Sequence, residues 1–267
     1  TEPWMNDTFV RSGPLKELSS YPHWAQRLVQ ECETSRLAVV GHPLYARMRD
    51  GHLSRQTMRA FLIGGWQVVE QFPLYMSQNL LKTRFGRSPG EDMARRWLMR
   101  NIRVELNHAD YWLHWAEAYG VTLAELKAQL VPAELHALGH WCWHTCATDD
   151  LALAMAATNY AIEGATGDWS ALVCSLDTYE RTLPSGARKD AMRWLKMHAR
   201  YDDDHPWEAL EIICTLCGPQ VPVPRVLALR EAVCKSYGYM RMFLDHCLAL
   251  EQAQGGARRT ASMKAAG

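Results

Sequence analysis

The stretch WLKMHARYDDDHPWEALEII, residues 194–213, decides the reading of this chain. Its apolar residues recur at helical spacing, and His198, Asp202 and His205 fall at i, i+4 and i+7. At 3.6 residues per turn these three side chains lie within roughly 60° of one another on a helix surface, so they can converge on one point. Asp203 and Asp204 turn away from that face, at roughly 140° and 240° from His198, and stay outside the ligand set.

Working outward, helical periodicity continues in both directions, and no stretch shows strand alternation bounded by hairpin turns. The expected fold is all-α: a single domain over residues 1–254 as a bundle of seven to eight helices, and a disordered tail over 255–267, which is small, polar and basic. Helices are expected near 22–33, 35–49, 54–83, 90–119, 122–128, 132–146, 149–175, 187–217 and 224–253. Ser88-Pro89-Gly90-Glu91 offers an N-cap, a proline in the first turn and a capping-box glutamate, and Thr122 with Glu125 repeats the capping box. Gly218 to Pro224 reads as the loop before the last helix.

Composition narrows the function. The chain has 267 residues, 48% of them hydrophobic, with eleven tryptophans, which is ample for a core. Lys+Arg and Asp+Glu both total 29, so the electropositive excess that drives nucleic-acid binding is lacking, and no nucleic-acid partner is expected. Thr1 to Val10 has no apolar leader core and no apolar run approaches the roughly 20 residues of a membrane span, so a soluble, cytoplasmic protein is expected. The eight cysteines are scattered through helical patterns, unlike a secreted disulfide framework. Cys214 and Cys217 form a lone C-x-x-C before Gly218, better explained by helix-end packing than by zinc or redox chemistry.

Four further side chains complete a candidate metal set. Glu105 and His108 form a Glu-x-x-His pair, the arrangement that helical di-iron carboxylate proteins use for a bridged metal pair. Glu70, in WQVVEQF, and Glu163, in NYAIEGA, sit in apolar runs where an unpaired carboxylate is costly; their alternatives are a basic partner or a polar network. With Asp202, four carboxylates would neutralise two divalent ions. Helix-disfavoured residues cluster beside these positions: Gly64, Gly65 and Pro73 around Glu70, Gly164 and Gly167 after Glu163, and Pro206 after His205. Each costs about 1 kcal/mol for glycine or about 3 for proline in a helix interior, so kinks or π-bulges that aim the ligands are expected there, close helix packing being the alternative. His136, His140 and His144, at i, i+4 and i+8, lack a carboxylate-bearing partner helix and read as a polar face. His114 lies roughly 120° from the Glu105/His108 face and reads as structural or supporting.

The stretches GGWQVVEQFPLYM (64–76), RNIRVELNHADYW (100–112), ATNYAIEGATGDWSALVCS (157–175) and residues 194–213 resemble the haem-oxygenase-like di-iron oxidases, and within them the bacterial medium-chain fatty acid decarboxylases that form 1-undecene. The resemblance runs from about Thr8 to about Glu251 and extends, in fold, to the thiaminases and pyrroloquinoline-quinone synthases. It implies that Glu105, His108 and His198 hold one iron while Glu70, Glu163, Asp202 and His205 hold or bridge a second, with Glu105, His108, Glu163 and His198 central to catalysis. Nitrogen and oxygen ligands without thiolate suit Fe(II).

The implied reaction is O2-dependent oxidative decarboxylation of a C10–C14 fatty acid, such as dodecanoic acid, to a terminal alkene and CO2 by hydrogen abstraction at C3. It needs an external electron donor and a long apolar pocket; Trp66, Val69, Phe72, Leu106, Tyr160, Ile162, Trp194, Tyr239, Met240 and Phe243 are the candidates to line it. A homodimer is the base-rate expectation. Two alternatives stay open: an N-oxygenase or amino-acid-fragmenting oxidase on the same metal site, and a non-catalytic iron-binding protein.

Overall fold

Every element of the computed structural model is helical, and it describes residues 8–201 and 204–265, with side chains for 8–200 and 204–255. In chain order these are α1 (His23–Val40), α2 (Pro43–Arg49), α3 (Arg55–Leu80), α4 (Pro89–Glu105), α5 (His108–Ala118), α6 (Leu123–Ala128), α7 (Ala133–Thr148) and α8 (Leu151–Met155). A π-helical segment, Ala156–Ile162, runs from α8 into α9 (Glu163–Val173), followed by α10 (Thr178–Thr182), α11 (Arg188–Ala191), α12 (Arg193–Tyr201), α13 (His205–Cys217) and α14 (Val223–Ala265). The all-α, single-domain expectation holds. No helix among the described residues is long and apolar enough to cross a membrane.

Local chemistry sets the helix starts. Ser54 caps α3 by accepting the Thr57 amide, and Ser88 caps α4 by accepting that of Glu91, with Pro89 in the first turn. Thr122 and Glu125 make the reciprocal capping box of α6. At Ser88 the box stays half made, because Glu91 accepts instead from the Arg84 amide at 2.8 Å. His42 caps α2 through Nδ1, which accepts the Leu44 amide at 3.2 Å. Gly218, at φ 84°, ends α13 as expected, and its carbonyl accepts the Trp24 indole N–H at 3.0 Å, tying that corner to α1. The last helix carries on through Ala265, past the boundary that composition suggested at residue 254.

Two expected rods are interrupted. The helix read over 90–119 breaks at Leu106–Asn107 into α4 and α5, and the one read over 187–217 becomes α11, α12 and α13. Pro206 explains the last break: it has no backbone N–H, so the i→i−4 ladder cannot pass through it, and it sits instead in the first turn of α13. The single-helix face expected for His198 and His205 is thereby corrected, since His198 lies on α12 and His205 opens α13; Asp202 lies outside the described residues.

The core is aromatic. Trp112, Trp115, Trp169 and Trp194, none more than 4% exposed, meet between α5, α9 and α12, with Phe61 of α3 against the first three. At roughly 150–250 Å² per ring and about 25 cal/mol per Å², each contributes roughly 4–6 kcal/mol as an upper bound. Trp112 can lie flat on α3 because residue 65 is glycine: a Cβ there would stand 2.6 Å from Trp112 Cζ2. α14 packs along α1, α7 and the π segment, while α9 packs on α12, leaving the α4–α5 junction and the starts of α9 and α13 facing one another.

Candidate metal centre

The break that splits the expected 90–119 helix also places its two ligands. Glu105 is the last residue of α4 and His108 the first of α5, and across the turn between them Nδ1 of His108 lies 2.5 Å from Oε2 of Glu105. Both are buried. Glu163 opens α9 immediately after the π segment, whose extra residue per turn redirects the chain. Deviation from α geometry thus occurs beside Glu163 as anticipated, though in the seven residues before it; Gly164 and Gly167 lie in regular helix. Asn159, fully buried within the π segment, donates Nδ2–H to Oε2 of Glu163 at 2.8 Å, and His205 Nδ1 meets the other oxygen at 3.0 Å. Gly164 supplies room for that approach: a Cβ there would stand 3.0 Å from Cβ of Pro206.

His198 joins the two pairs. Its ring stacks on Trp194 at 3.8 Å and lies 4.6 Å from the His108 ring, centroid to centroid. Its Nδ1–H donates to the Trp194 carbonyl at 2.8 Å, which fixes the tautomer with the lone pair on Nε2, as an imidazole ligand oriented by a backbone carbonyl requires. Five of the seven expected ligands thus share one electrostatic neighbourhood. Burial raises the Glu105 carboxyl above its ordinary pKa, the His108 contact opposes this and the charge of Glu163 adds to it. Burial, and then the charge of His108, drives His198 well below 6.5. Burial also pushes His205 down, but the hydrogen bond and charge of Glu163 outweigh it and the pKa is raised.

Two expected ligands stand apart. Glu70 is half-buried on α3 and joins the five through no hydrogen bond or ion pair among the described residues; its charge is felt at Tyr75. Asp202 lies outside the described residues. Among those described, no three acidic, imidazole or thiol groups are arranged to hold one ion together; the carboxylates and imidazoles are satisfied in pairs. His136 binds Gln67 and the Gln129 carbonyl, as a polar helix face would. Cys214 and Cys217 are free thiols at the end of α13.

The donor set fits iron. Both Glu105 and Glu163 are 5% exposed, with only imidazole and amide partners and no arginine or lysine paired to them among the described residues. Two buried carboxylates beside three imidazoles lack a matching fixed positive charge, which a divalent cation would supply.

Two cavities flank the His198–Trp194 stack. One, of about 80 Å³, is apolar and lined by five expected pocket residues, Val69, Ile162, Trp194, Met240 and Phe243, together with Phe61, Gly64, Gly65, Trp112, Leu135 and Trp169, which sequence reading missed. The other, of about 370 Å³, is lined by His198, Tyr160, Pro206 and Tyr237, with Glu33, Arg36 and Asp168. Trp66 and Phe72 are packed in the core, and Tyr239 lies half-buried against Trp141. Leu106 corrects the sequence reading: it sits on the α4–α5 turn, 64% exposed, and lines neither cavity. The missed Asn159 had one legible signal, an amide one helical turn before Glu163 in an otherwise apolar run.

The arrangement is a helical bundle with two carboxylate–imidazole pairs at its centre. Residues 59–233 match the family described as iron-containing redox enzymes of the haem-oxygenase type, and the chain belongs to that family. A solved structure of a TenA homolog from Pseudomonas syringae pv. tomato str. DC3000 is 62% identical, with a TM-score of 0.89, covering 91% of this chain and 100% of its own. A TenA family transcription regulator from Silicibacter sp. TM1040 shares 14% identity and a TM-score of 0.67, covering 85% of this chain and 97% of its own. A domain of unknown function with a haem-oxygenase-like fold, from Shewanella denitrificans OS217, shares 13% identity and a TM-score of 0.66, covering 85% and 92%. These last two share the fold alone. No curated protein matches the chain.

Proposed function

We propose that this chain is a non-haem iron oxidase that converts a medium-chain fatty acid and O2 to a terminal alkene and CO2. One observation carries the reading: two carboxylate–imidazole pairs, the buried Glu105–His108 and the partly buried Glu163–His205, neighbour His198, whose ring lies 4.6 Å from that of His108 and stacks on the wall of an apolar cavity. Glu105, His108 and His198 would hold one Fe(II), and Glu163 and His205, with Glu70 and Asp202, a second. Bound iron supplies the one-electron chemistry with O2 that hydrogen abstraction at C3 requires.

The chain's own residues bind, orient and exclude water. Met240, Phe243, Val69 and Ile162 offer an alkyl chain an apolar wall, keeping solvent from a reactive carbon. Trp194 Nε1–H, on the ring that separates this cavity from His198, is buried with no hydrogen-bond partner among the described residues, and it can donate to a substrate carboxylate oxygen. At about 80 Å³ the slot is smaller than the roughly 300–1,000 Å³ usual for ligand sites, so admission of a C10–C14 chain requires Met240 and Phe243 to swing aside. An external one-electron donor would complete the turnover.

The larger cavity, with Glu33, Arg36 and Asp168 on its wall, favours a second reading, an amine or amino acid oxidised at the same centre. Incubating Fe(II)-loaded protein with dodecanoate and O2 and sampling the headspace separates the two. 1-Undecene and CO2 together support the decarboxylase; iron uptake and O2 consumption with no alkene from any C10–C14 acid overturn it.

A further inference from the structure

The aromatic core holds a directed path as well as a packing arrangement. From His198 the rings continue through Trp194, at 3.8 Å between centroids, to Trp115, at 5.8 Å. Trp115 Nε1–H donates to the phenol oxygen of Tyr179 at 2.7 Å, and that oxygen lies 3.0 Å from the phenol oxygen of Tyr119. Tyr179 is 2% exposed, whereas Tyr119 is half-buried at the end of α5. Trp112, 4.8 Å from Trp194 and 5.1 Å from Trp115, gives a second route onto Trp115, whereas the branch through Trp169 ends inside, stacked on the buried Tyr45.

Proton bookkeeping gives the path a direction. Trp194 Nε1–H has no acceptor among the described residues, so an oxidised Trp194 has no neighbour there to take its proton and does not trap the electron hole. Tyr179 has the opposite situation. Its oxygen already accepts from Trp115, which leaves its own proton free to pass to Tyr119, toward the surface. Hydrophobic packing alone asks nothing of a buried phenol, and burial makes an unmatched one costly; here two phenols and an indole satisfy each other in line with the candidate centre.

We propose that Trp194, Trp115, Tyr179 and Tyr119 form an electron relay between the His108/His198 end of the centre and the surface. The inference rests on the iron-oxidase reading for its purpose and on ring geometry for its existence. When O2 is activated without substrate, one electron moves outward-in along the relay: the centre is reduced by one electron, and Tyr179 is oxidised to a neutral radical. Its proton passes through Tyr119 to solvent. A small one-electron donor such as ascorbate returns the electron at Tyr119, solvent returns the proton, and the ligands are spared oxidation.

Two measurements test this. In metal-free protein, azide radicals generated by pulse radiolysis oxidise tryptophan, and transfer to tyrosine is followed by absorbance. Wild type shows a concentration-independent tryptophan-to-tyrosine phase that Tyr179→Phe, which keeps the ring, loses or slows several-fold. An unchanged phase in Tyr179→Phe overturns the relay, whatever the metal chemistry. In Fe(II)-loaded protein mixed with O2 and no fatty acid, freeze-quenched paramagnetic resonance shows a tyrosyl radical in wild type; Trp115→Phe and Tyr179→Phe abolish it at unchanged iron content, and peptide mapping finds oxidation moved to Trp194 and His198. Oxygen consumption with no tyrosyl radical in wild type also overturns the relay. A working metal-free relay in a chain that takes up no iron overturns the proposed function alone.

Discussion

Asn159→Ala tests whether the π segment exists to present Glu163. Asn159 is fully buried, and its Nδ2–H donates at 2.8 Å to a carboxylate that is itself 5% exposed. A hydrogen bond to a charged group is worth about 1.5–3 kcal/mol, and the alanine leaves Glu163 Oε2 without its donor in a place water does not reach. Loss of the amide's packing adds about 1 kcal/mol. Metal-free Asn159→Ala should therefore unfold in urea with a stability loss of roughly 2.5–4 kcal/mol at an unchanged m-value. Because outer partners orient metal ligands, Fe(II) affinity should fall by about 10–100-fold. Asn159→Asp, which sets a second carboxylate against Glu163, should cost more than alanine above the carboxylate range and recover toward it on acidification. A stability loss under about 0.5 kcal/mol, the range of an ordinary surface change, together with unaltered Fe(II) affinity would refute the reasoning.

Three other outcomes are expected. Two histidines should give the stability of metal-free protein opposite limbs about pH 6.5, over a loss from the raised Glu105 carboxyl as pH rises out of the carboxylate range. His205, raised in the folded state, contributes stability that is complete below 6.5 and lost as pH rises through its folded value, while His198, depressed, erodes stability as pH falls below 6.5; urea melts across pH 5–9 read both limbs, and Glu163→Gln should flatten the alkaline one. Gly65→Ala drives a methyl to 2.6 Å from Trp112 Cζ2 and should cost about 1–3 kcal/mol by thermal or urea unfolding, with lost fatty acid binding by calorimetry because Trp112 and Gly65 wall the slot. Phe243→Ala enlarges the same slot, so product profiles from C10 to C16 acids should shift toward longer chains at a stability loss of about 3–5 kcal/mol.

The parts of the fold that periodicity carries were legible, and the parts that depend on interruption were not. Ser88 and Thr122 marked helix starts and Gly218 a stop. The break at Leu106–Asn107 has neither glycine nor proline, and apolar spacing continues across it, so a single helix was the natural reading. Pro206 was a visible signal, but the helical spacing of His198, Asp202 and His205 masked what a missing N–H does to a ladder. The π segment, mostly small and apolar, has no sequence mark of its own. At the site, the Glu-x-x-His spacing identified Glu105 and His108, while a carboxylate stranded in an apolar run identified Glu163, because burial of an unpaired charge needs a reason; the same argument also picked Glu70, which is only half-buried and stands apart. Which pocket residues face the cavity depends on helix rotation: Met240 and Phe243 line it, while the neighbouring Tyr239 turns to Trp141.

The most direct test of the whole account is anomalous diffraction at the iron edge from crystals grown anaerobically with Fe(II). The account predicts iron bound among Glu105, His108, His198, Glu163 and His205, with the Glu105–His108 and Glu163–His205 contacts opened to receive it. Iron bound elsewhere, or those two pairs still closed on each other in iron-saturated protein, would contradict it.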